Sequence, residues 1–471
     1  MTLIFDVRLL RQLGKWRQRD LAEAIGLDVH DLMKVERGLS PLDEHLKDRI
    51  LQALNVQPSQ LEEYADLLVR ARECGEGYVT ARPERPTTQA RAHSVASDKR
   101  SLIDLFCGIG GFSSGFEQTG QFQVVAGIDL LGDRLDTFSA NHKSANAYGQ
   151  DIRTLATDVL DDENPRPFVI VGGPPCQGFS SIRPFRNIEW SDPRNNLAEE
   201  FCRIVDDLRP EWVVFENVVG LLTHNGGRIY RAVREAFESI GYRTDARVLN
   251  AANFGLPQRR ERLIVVGSLK GKAFQWPEPT HAVDQRSMVG DSDLLIKGRT
   301  DLFRSYESAV TVNEAISDLP AVAAGQRATE YSSSGSVSEY AAFIRNGAKH
   351  LALHESTGHT QKMLDIIRLA GANINALPPG TVTSGFSSCY SRLDGDEPSV
   401  TLTVNFVHPA SNRCIHPTQD RALTPREGAR IQGFFDTFEF RGSRSQIVKQ
   451  IGNAVPPLLG RKIAAAILES D

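Results

Sequence analysis

Long hydrophobic runs are missing from this sequence of 471 residues. No stretch of about 18 apolar residues occurs, so no segment is expected to cross a membrane. The first residues, MTLIFDVRLLRQLGKW, are interrupted by charges in a way that is not typical of a secretory signal. Both absences favour a cytoplasmic protein.

Cysteine is also scarce, and the spacing of the cysteines does not match a metal site. Six cysteines lie at positions 74, 107, 176, 202, 389 and 414, and none belongs to a CxxC pair. This arrangement argues against a structural zinc site and against a disulfide framework, and it is typical of a reducing compartment. The histidines show no metal-ligand spacing, so no metal is expected.

A strong excess of one charge is absent as well. The formal net charge is -5, so any binding to nucleic acid depends on a local basic surface. Hydrophobic residues make up 41% of the sequence and charged residues 24%, which fits a globular protein with a sizeable core. The length allows roughly three domains.

Residues 1–75 are predicted to form an all-helical domain, because apolar residues recur there at helical spacing. Gly26 lies between two such segments, where a tight turn needs positive φ. The segment QRDLAEAIGLDVHDLMKVERGLS resembles the helix-turn-helix of phage repressors, which implies that Val29–Arg37 enters a major groove. The alternative is a helical domain used only for packing or dimerisation. Five nearby basic residues are candidates for phosphate contacts: Arg8, Arg11, Lys15, Arg17 and Arg19.

The rest of the chain divides into four segments that differ in composition and in the pattern of apolar residues. Residues 76–100 are rich in Pro, Ser, Thr and Arg and are predicted to be a flexible linker. In residues 101–270 short β-branched runs alternate with helical stretches, which predicts an α/β fold with a doubly wound, mostly parallel sheet. Residues 271–439 are irregular apart from a few strands such as VTLTV, as expected of a segment that selects substrate. Residues 440–471 are predicted to return to the sheet.

A glycine-rich turn opens the α/β region. The segment DLFCGIGGFSSGFE at 104–117 is typical of a strand, a tight turn and the start of a helix, but the third glycine of a dinucleotide motif is missing. Asp129 follows the next strand and is placed to bind ribose hydroxyls. Asp151 follows the third strand and is placed to accept from an adenine amino group. These residues suit a nucleoside such as S-adenosylmethionine better than NAD; glycines that serve only the turn are the alternative.

Two further segments carry chemistry. GGPPCQGFS at 172–180 holds Cys176 in a constrained Pro-Pro-Cys turn, and FENVV at 215–219 places Glu216 at the end of an apolar strand. A thiol and a carboxyl group at neighbouring strand ends suit covalent addition to an electron-poor ring, with the acid protonating a ring nitrogen. A buried structural cysteine and a helix-capping glutamate are the alternatives.

Residues 101–471 resemble the bacterial DNA (cytosine-5) methyltransferases. The motifs occur in the order typical of that family: DLFCGIGGFSSGFE, GIDL, QDI, GGPPCQGFS, DPRNNL, FENVVGLL, QRRERLIVVG, LTPREGARIQGF and QIGNAVPPLLG. The resemblance implies an S-adenosylmethionine-dependent methyltransferase fold, with 101–270 and 440–471 as the catalytic domain and 271–439 as a smaller target-recognition domain. It also implies that the target cytosine is flipped out of duplex DNA.

The same resemblance assigns the site residues. It implies that Cys176 is the nucleophile, that Glu216 protonates cytosine N3, and that Arg260 and Arg262 orient the base and the catalytic groups. The family commonly has glutamate where Asp129 stands. The following residues would line the S-adenosylmethionine pocket: Phe106, Gly108, Gly110, Asp129, Asp151, Ile152, Pro174, Leu197, Asn453 and Val455.

Other functions are open at this point. An RNA cytosine-5 methyltransferase could use the same scaffold, although a helix-turn-helix favours B-form DNA because A-form RNA hides its major groove. The chain could also act primarily as a transcriptional regulator. The family layout implies that residues 1–75 bind the protein's own promoter and that the enzyme belongs to a restriction system with a cognate endonuclease.

Overall fold

The chain forms two compact units: one comprises residues 1–86 and 186–194, the other 87–185 and 195–471. The computed structural model describes residues 95–96, 98–155, 157, 159–160, 164–175, 196–283, 287, 290, 292–296, 298, 305–332, 337–382 and 385–471, and, nearer the N-terminus, 7, 10–11, 16, 18–28, 31–32, 35 and 42–56. Within these ranges, no helix is both long and apolar enough to span a membrane.

The first unit contains two described helices, α1 (Gln18–Ala24) and α2 (Glu44–Leu54). Their apolar side chains share a small core that includes Leu21, Ile25 and Ile50. Gly26 follows α1 with φ +60°, which confirms the predicted need for positive φ at this turn. Of the predicted recognition helix, Val29–Arg37, the structure describes only Asp31, Leu32 and Val35, and most of the basic cluster lies outside the described residues, so the helix-turn-helix stays a prediction.

The second unit is built on a seven-stranded sheet. The seven strands are β1 (Arg100–Leu105), β2 (Phe122–Ile128), β3 (Asn146–Tyr148), β4 (Val169–Gly172), β5 (Trp212–Val218), β6 (Arg243–Asn250) and β8 (Glu261–Ser268). Their order in the sheet is β3-β2-β1-β4-β5-β8-β6. The neighbours from β3 to β5 pair in parallel, whereas β8 is antiparallel to both β5 and β6. The mostly parallel sheet is therefore confirmed.

Helices cover both faces of this sheet, as the buried runs in its strands require. One face packs against residues such as Phe201 and Phe237. The other packs against Phe116, Phe138 and Ile463, so the last helix does return to the sheet. The covering helices are α3 (Gly111–Glu117), α4 (Gly132–Asn141), α5 (Asn196–Leu208), α6 (Gly220–Thr223), α7 (Arg228–Ser239) and α13 (Pro457–Ser470).

Residues from the irregular segment build a third core with Ile109 and Leu256 of the sheet region. The described elements of the irregular segment are short: β9 (His281–Ala282), β10 (Glu307–Ser308), α8 (Val312–Ile316), α9 (Glu339–Arg345), α10 (Gln361–Leu369), β11 (Ser399–Val400), α11 (Pro425–Ile431) and a 3-10 turn at Ile374–Ala376. The remaining short elements lie before or after it: β7 (Gln258–Arg259), α12 (Arg444–Asn453) and 3-10 turns at His224–Gly227 and Ala251–Phe254.

Two expectations for secondary structure need correction. Of the predicted strand VTLTV (400–404), only Val400 lies in a strand, the two-residue β11 that starts at Ser399; beyond it, Leu402 bonds to the side chains of Gln258 and Arg260 instead of a neighbouring backbone. The charged run QRRER does not simply precede a strand: Glu261 and Arg262 already belong to β8. The second correction matters for the site, since it places Arg262 beside β5.

Candidate active site

The turn between β1 and α3 has three residues with positive φ. Phe106 has φ +58°, Gly108 +54° and Gly110 +79°. A Cβ atom on Gly110 would lie 2.3 Å from Nε2 of His142, whereas one on Gly108 would meet open space. Only glycine fits at position 110, and the backbone at position 108 is open to an approaching ligand.

Asp129 ties this turn to the end of β2. Its Oδ2 accepts from the Gly108 amide at 2.9 Å, and its Oδ1 accepts from the Leu131 amide at 2.9 Å. Each carboxylate oxygen keeps a further lone pair for a ribose hydroxyl. Asp129 therefore reaches the turn although its side chain is shorter than that of the glutamate that is common at this position.

Asp151 and Ile152 are both buried and lie just beyond β3, which ends at Tyr148. The Asp151 carboxylate already accepts two bonds from the Arg153 guanidinium, at 3.1 and 2.7 Å. Its orientation is fixed by that pair and by the Arg153 amide, which donates to the same Oδ1 at 3.0 Å.

The segment after α12 closes the turn from far away in sequence. The Val455 carbonyl would lie 2.6 Å from a Cβ atom on Gly111, so the two backbones are in close contact. Asn453 is exposed and Val455 half-buried. Leu197 packs half-buried against the core on the other face of the sheet. The structure thus brings Ala454 and Val455 to the start of α3 and leaves Leu197 at the start of α5.

These parts fit a nucleoside cofactor. The backbone at Gly108 is free of side-chain obstruction, and Asp129 presents a carboxylate beside it. Both lie at the carboxyl edge of a parallel sheet, where β1 has β2 on one side and β4 on the other. This is the switch point at which open α/β sheets bind ligands.

Glu216 lies near the end of β5 and is paired with Arg262 of the adjacent antiparallel strand. The Arg262 Nε atom is 2.8 Å from Glu216 Oε1, and the two side chains are only 13% and 9% exposed. A Cβ atom on Gly173 would lie 2.6 Å from Glu216 Oε2. Because glycine has no Cβ atom, Gly173 leaves room for the second carboxyl oxygen of Glu216, Oε2.

The turn that carries the predicted nucleophile is anchored to the same place. The Asn217 side-chain amide donates to the Pro174 carbonyl at 3.1 Å, and Pro174 is buried. This bond holds the start of the Pro-Pro-Cys turn beside Glu216. Cys176 itself lies outside the described residues.

Electrostatics distinguishes Glu216 from an ordinary surface acid. Burial raises the pKa of its carboxyl group, and the charges of Arg262 and Arg260 only partly oppose that rise. A carboxyl group with a raised pKa is suited to donate a proton near neutral pH. The pKa of Arg262 is lowered, first by burial, while Glu216 acts in the opposite direction.

Arg260 holds backbone instead of facing the carboxyl group directly. Its guanidinium donates to the carbonyls of Ala454, Gly452 and Leu402 at 3.0, 3.3 and 3.4 Å. It is 2% exposed. Arg260 therefore links the segment after α12 to β8, the strand that carries Arg262. That segment lies against the turn between β1 and α3 (residues 106–110), which we call the cofactor turn.

The cysteines that the structure describes are poor nucleophiles. Cys107, Cys202, Cys389 and Cys414 are all buried. Burial raises the pKa of the Cys107 thiol well above its ordinary value and that of Cys202 to about 12. A thiol in that state is almost entirely protonated near neutral pH.

Sequence reasoning missed Gly173, Asn217 and His142. The first two lie directly beside the predicted residues, in GGPPC and FENVV, and their neighbourhood was the only signal. Nothing in the sequence marks His142, which reaches the turn from α4. Among the described residues, no group of three or more His, Cys, Asp or Glu side chains could hold a metal ion.

Comparison with known proteins agrees with this geometry. The family model for C-5 cytosine-specific DNA methylase matches residues 100–469. The chain is 35% identical over 376 residues to the type II methyltransferase M1.HphI of Haemophilus parahaemolyticus, covering 79% of this chain and 87% of that protein. It is 31% identical over 433 residues to the type II methyltransferase M.AgeI of Thalassovita gelatinovora, covering 78% and 98%.

A solved structure supports the fold. The crystal structure of a candidate DNA modification methyltransferase encoded within an E. coli prophage superposes with a TM-score of 0.59 at 23% identity, covering 79% of this chain and 99% of that chain. The family match extends over most of the chain, from β1 to α13. The chain therefore belongs to the C-5 cytosine-specific DNA methylase family, and it is a DNA cytosine-5 methyltransferase whose methyl donor is S-adenosylmethionine.

Proposed function

We propose that this enzyme methylates carbon 5 of a flipped cytosine within one short duplex sequence, as the modification enzyme of a type II restriction system with a cognate endonuclease. Relatives that are 31 to 35% identical carry the name type II methyltransferase. The observation that carries the chemistry is the buried pair of Glu216 and Arg262 at the carboxyl edge of the sheet.

The proposed chemistry begins with the target base. The Cys176 thiolate bonds to cytosine carbon 6 while the Glu216 carboxyl group gives its proton to ring nitrogen 3, so that carbon 5 becomes electron-rich. S-adenosylmethionine supplies an electrophilic methyl group for carbon 5. A base then takes the carbon 5 proton, the thiolate leaves carbon 6, and the nitrogen 3 proton returns to Glu216. Arg262 orients Glu216 throughout and adds positive charge near the thiolate.

The cofactor assignment rests on the turn. We assign the ribose to Asp129, the adenine edge to Asp151 and Ile152, and the open backbone to Gly108 and the turn around it. Phe106, Gly110, Pro174, Leu197, Asn453 and Val455 complete the proposed pocket. The bonds from Gly108 and Leu131 to Asp129 support this assignment because they fix its carboxylate beside the open turn.

A trapping experiment tests the nucleophile. A duplex with 5-fluorocytosine at the target position has no removable carbon 5 proton, so the enzyme should remain bonded to it after methyl transfer. We expect an adduct that survives denaturation and maps by mass spectrometry to Cys176. The Cys176→Ala variant should form none, while the control Cys202→Ala, which alters a buried thiol in α5, should still form it. An adduct at another cysteine refutes the assignment.

The role of Glu216 is tested separately. Glu216→Gln keeps the shape of the side chain but has no acidic proton, and a general acid contributes roughly a hundred- to ten-thousand-fold. We expect single-turnover methylation to slow by that factor, while the affinity for S-adenosylhomocysteine stays within about twofold of wild type. Labelled cofactor should enter duplex DNA and not tRNA; label in tRNA alone would favour the RNA methyltransferase alternative.

We also propose that residues 1–75 bind DNA and autoregulate transcription from the protein's own promoter. Support comes from the small helical core around Leu21 and Ile25 and from the positive φ of Gly26. Deleting residues 1–75 should abolish promoter binding in a mobility-shift assay and leave methylation of the target sequence intact. A changed methylated sequence, read by bisulfite sequencing, would instead assign this unit to target recognition.

A further inference from the structure

His142 is a buried titratable group that the proposed chemistry does not use. It is the C-cap residue directly after α4, and it is 2% exposed. Its ring lies against the Phe138 ring, with centroids 4.6 Å apart. The side chain reaches under the turn that joins β1 to α3, where it fills the space that a Cβ atom on Gly110 would need.

Both ring nitrogens of His142 face groups that can only accept a hydrogen bond. Nδ1 is 2.8 Å from Glu117 Oε2, and Nε2 is 3.2 Å from the Gly110 carbonyl oxygen. A neutral imidazole carries one N–H, so it could satisfy only one of the two. The imidazolium carries two and satisfies both.

Ser113 offers the one hydroxyl near Nε2, at 3.4 Å. That hydroxyl donates to the Gly110 carbonyl at 3.3 Å, so it does not supply a proton to His142. The position at the end of α4 also favours a cation, because the C-terminus of a helix carries partial negative charge. The local geometry therefore calls for a charged histidine.

We propose that His142 is a positioning residue for the cofactor turn: its imidazolium bridges Glu117 and the Gly110 carbonyl, and so holds the turn in the shape that binds S-adenosylmethionine. This rests on the cofactor site proposed above. The Gly110 carbonyl belongs to the residue that precedes α3, so a turn that loses this bond loses the constraint on Gly108 and on the bond from Gly108 to Asp129 as well.

The proposal predicts a pH dependence with a defined sign. Burial lowers the pKa of His142, but Glu117, the Gly110 carbonyl and Asp104 together more than offset this, so that the pKa is raised from its ordinary value of 6.5. The bridge is complete at low pH and is lost as pH rises through that raised pKa. Three carboxyl groups face this region: Glu117 from α3, Asp104 from β1 and, beyond Asp104, Asp129 at the end of β2. The pKa of Asp104 is raised to about 7, mainly by burial, so it titrates in the same range.

The experiment measures direct binding of S-adenosylhomocysteine by calorimetry, from about pH 6 to about pH 9, with the full chain. The dissociation constant of wild type should rise as pH rises. His142→Gln should bind about tenfold more weakly at the low end, which corresponds to ~1.4 kcal/mol, and its dissociation constant should change little with pH. In turnover, the loss should appear mainly in KM for the cofactor.

Three further variants make the result specific. His354→Gln is the matched control: His354 is also buried and bonded at both nitrogens, but to Thr424 and Pro320, so cofactor binding should not change. Asp104→Asn removes the other group that titrates near neutral pH, and the pH dependence should persist. Glu117→Gln keeps an acceptor but removes the charge that stabilises the imidazolium, so the midpoint should move to lower pH.

Binding by His142→Gln that equals wild type, or a pH dependence that disappears in Asp104→Asn, would overturn the proposal. If His142→Gln does not fold, the midpoint shift in Glu117→Gln decides, and no shift overturns it. Asp129→Ala reports on the cofactor site itself. Wild-type binding by that variant, together with weakened binding by His142→Gln, would refute the ribose assignment and leave the histidine bridge standing.

Discussion

Replacing Arg262 by leucine should destabilise the catalytic unit through one identifiable charge. In the native protein Arg262 Nε lies 2.8 Å from Glu216 Oε1, with both side chains largely buried. Arg262→Leu leaves the carboxylate in a dry environment with only the more distant Arg260 to offset it. Removing one partner of a buried ion pair costs about 3–5 kcal/mol, and we expect that loss in the free energy of unfolding at about pH 8.

The loss should shrink as pH falls. Burial already raises the pKa of Glu216, and removing Arg262, the largest opposing influence, raises it further. A carboxyl group whose folded pKa lies above its unfolded value penalises the folded state above the folded pKa, and the penalty disappears as the group takes up a proton. At about pH 5.5 the variant should therefore recover part of its stability relative to wild type.

Urea unfolding at both pH values checks this, with two controls. Adding Glu216→Gln to Arg262→Leu removes the buried charge and should restore most of the lost stability. Arg259→Leu alters a neighbouring arginine whose partner, Glu397, is 51% exposed, so it should cost only about 1 kcal/mol. Equal losses at both pH values, without rescue by Glu216→Gln, would refute the reasoning.

Two packing features give further predictions. Gly115→Ala should lower the free energy of unfolding by about 1–3 kcal/mol, because its Cβ atom would lie 2.0 Å from the Pro457 carbonyl oxygen where α3 crosses α13. Gly132→Ala is the matched control. A Cβ atom there would meet no heavy atom within 4 Å, so this variant should be neutral or slightly stabilising. Arg430→Met should cost about 3–5 kcal/mol by thermal or urea unfolding, since Arg430 is fully buried and its Nη2 bonds to Asp318 and Asp436 at 3.1 and 2.7 Å. A loss below about 1 kcal/mol would show that the attraction between Arg430 and the two aspartates only offsets the cost of burying these charges.

Local patterns predicted the sheet and the cofactor turn well. Runs such as LIDLF and WVVFEN are short, apolar and bounded by turn residues, so their strand character follows from a few neighbouring residues. The same holds for the glycines of the turn. The link between Gly108 and Asp129 could be anticipated, because both follow adjacent strands of one parallel sheet.

Long-range pairing was not predictable from the sequence. Two arginines of the segment PREGAR, Arg426 and Arg430, are at most 1% exposed although both carry a charge. Their partner Asp436 follows α11, and Asp318 comes from more than a hundred residues earlier. Similarly, Arg260 bonds to carbonyls that only the folded chain brings near. Charge alone marks such residues as exposed, and the compensating acids become visible only in three dimensions.

The pairing of α3 with α13 has a consequence for synthesis on the ribosome. The helix that begins at the cofactor turn buries Phe112 and Phe116 against Leu459 and Ile463. Until residues 457–470 have emerged from the ribosome, the apolar side chains of α3 are not covered. The nascent catalytic unit therefore exposes a hydrophobic surface. Products that stop short of α13 should therefore neither bind S-adenosylmethionine nor methylate DNA, so methylation requires residues 457–470 to have been synthesised.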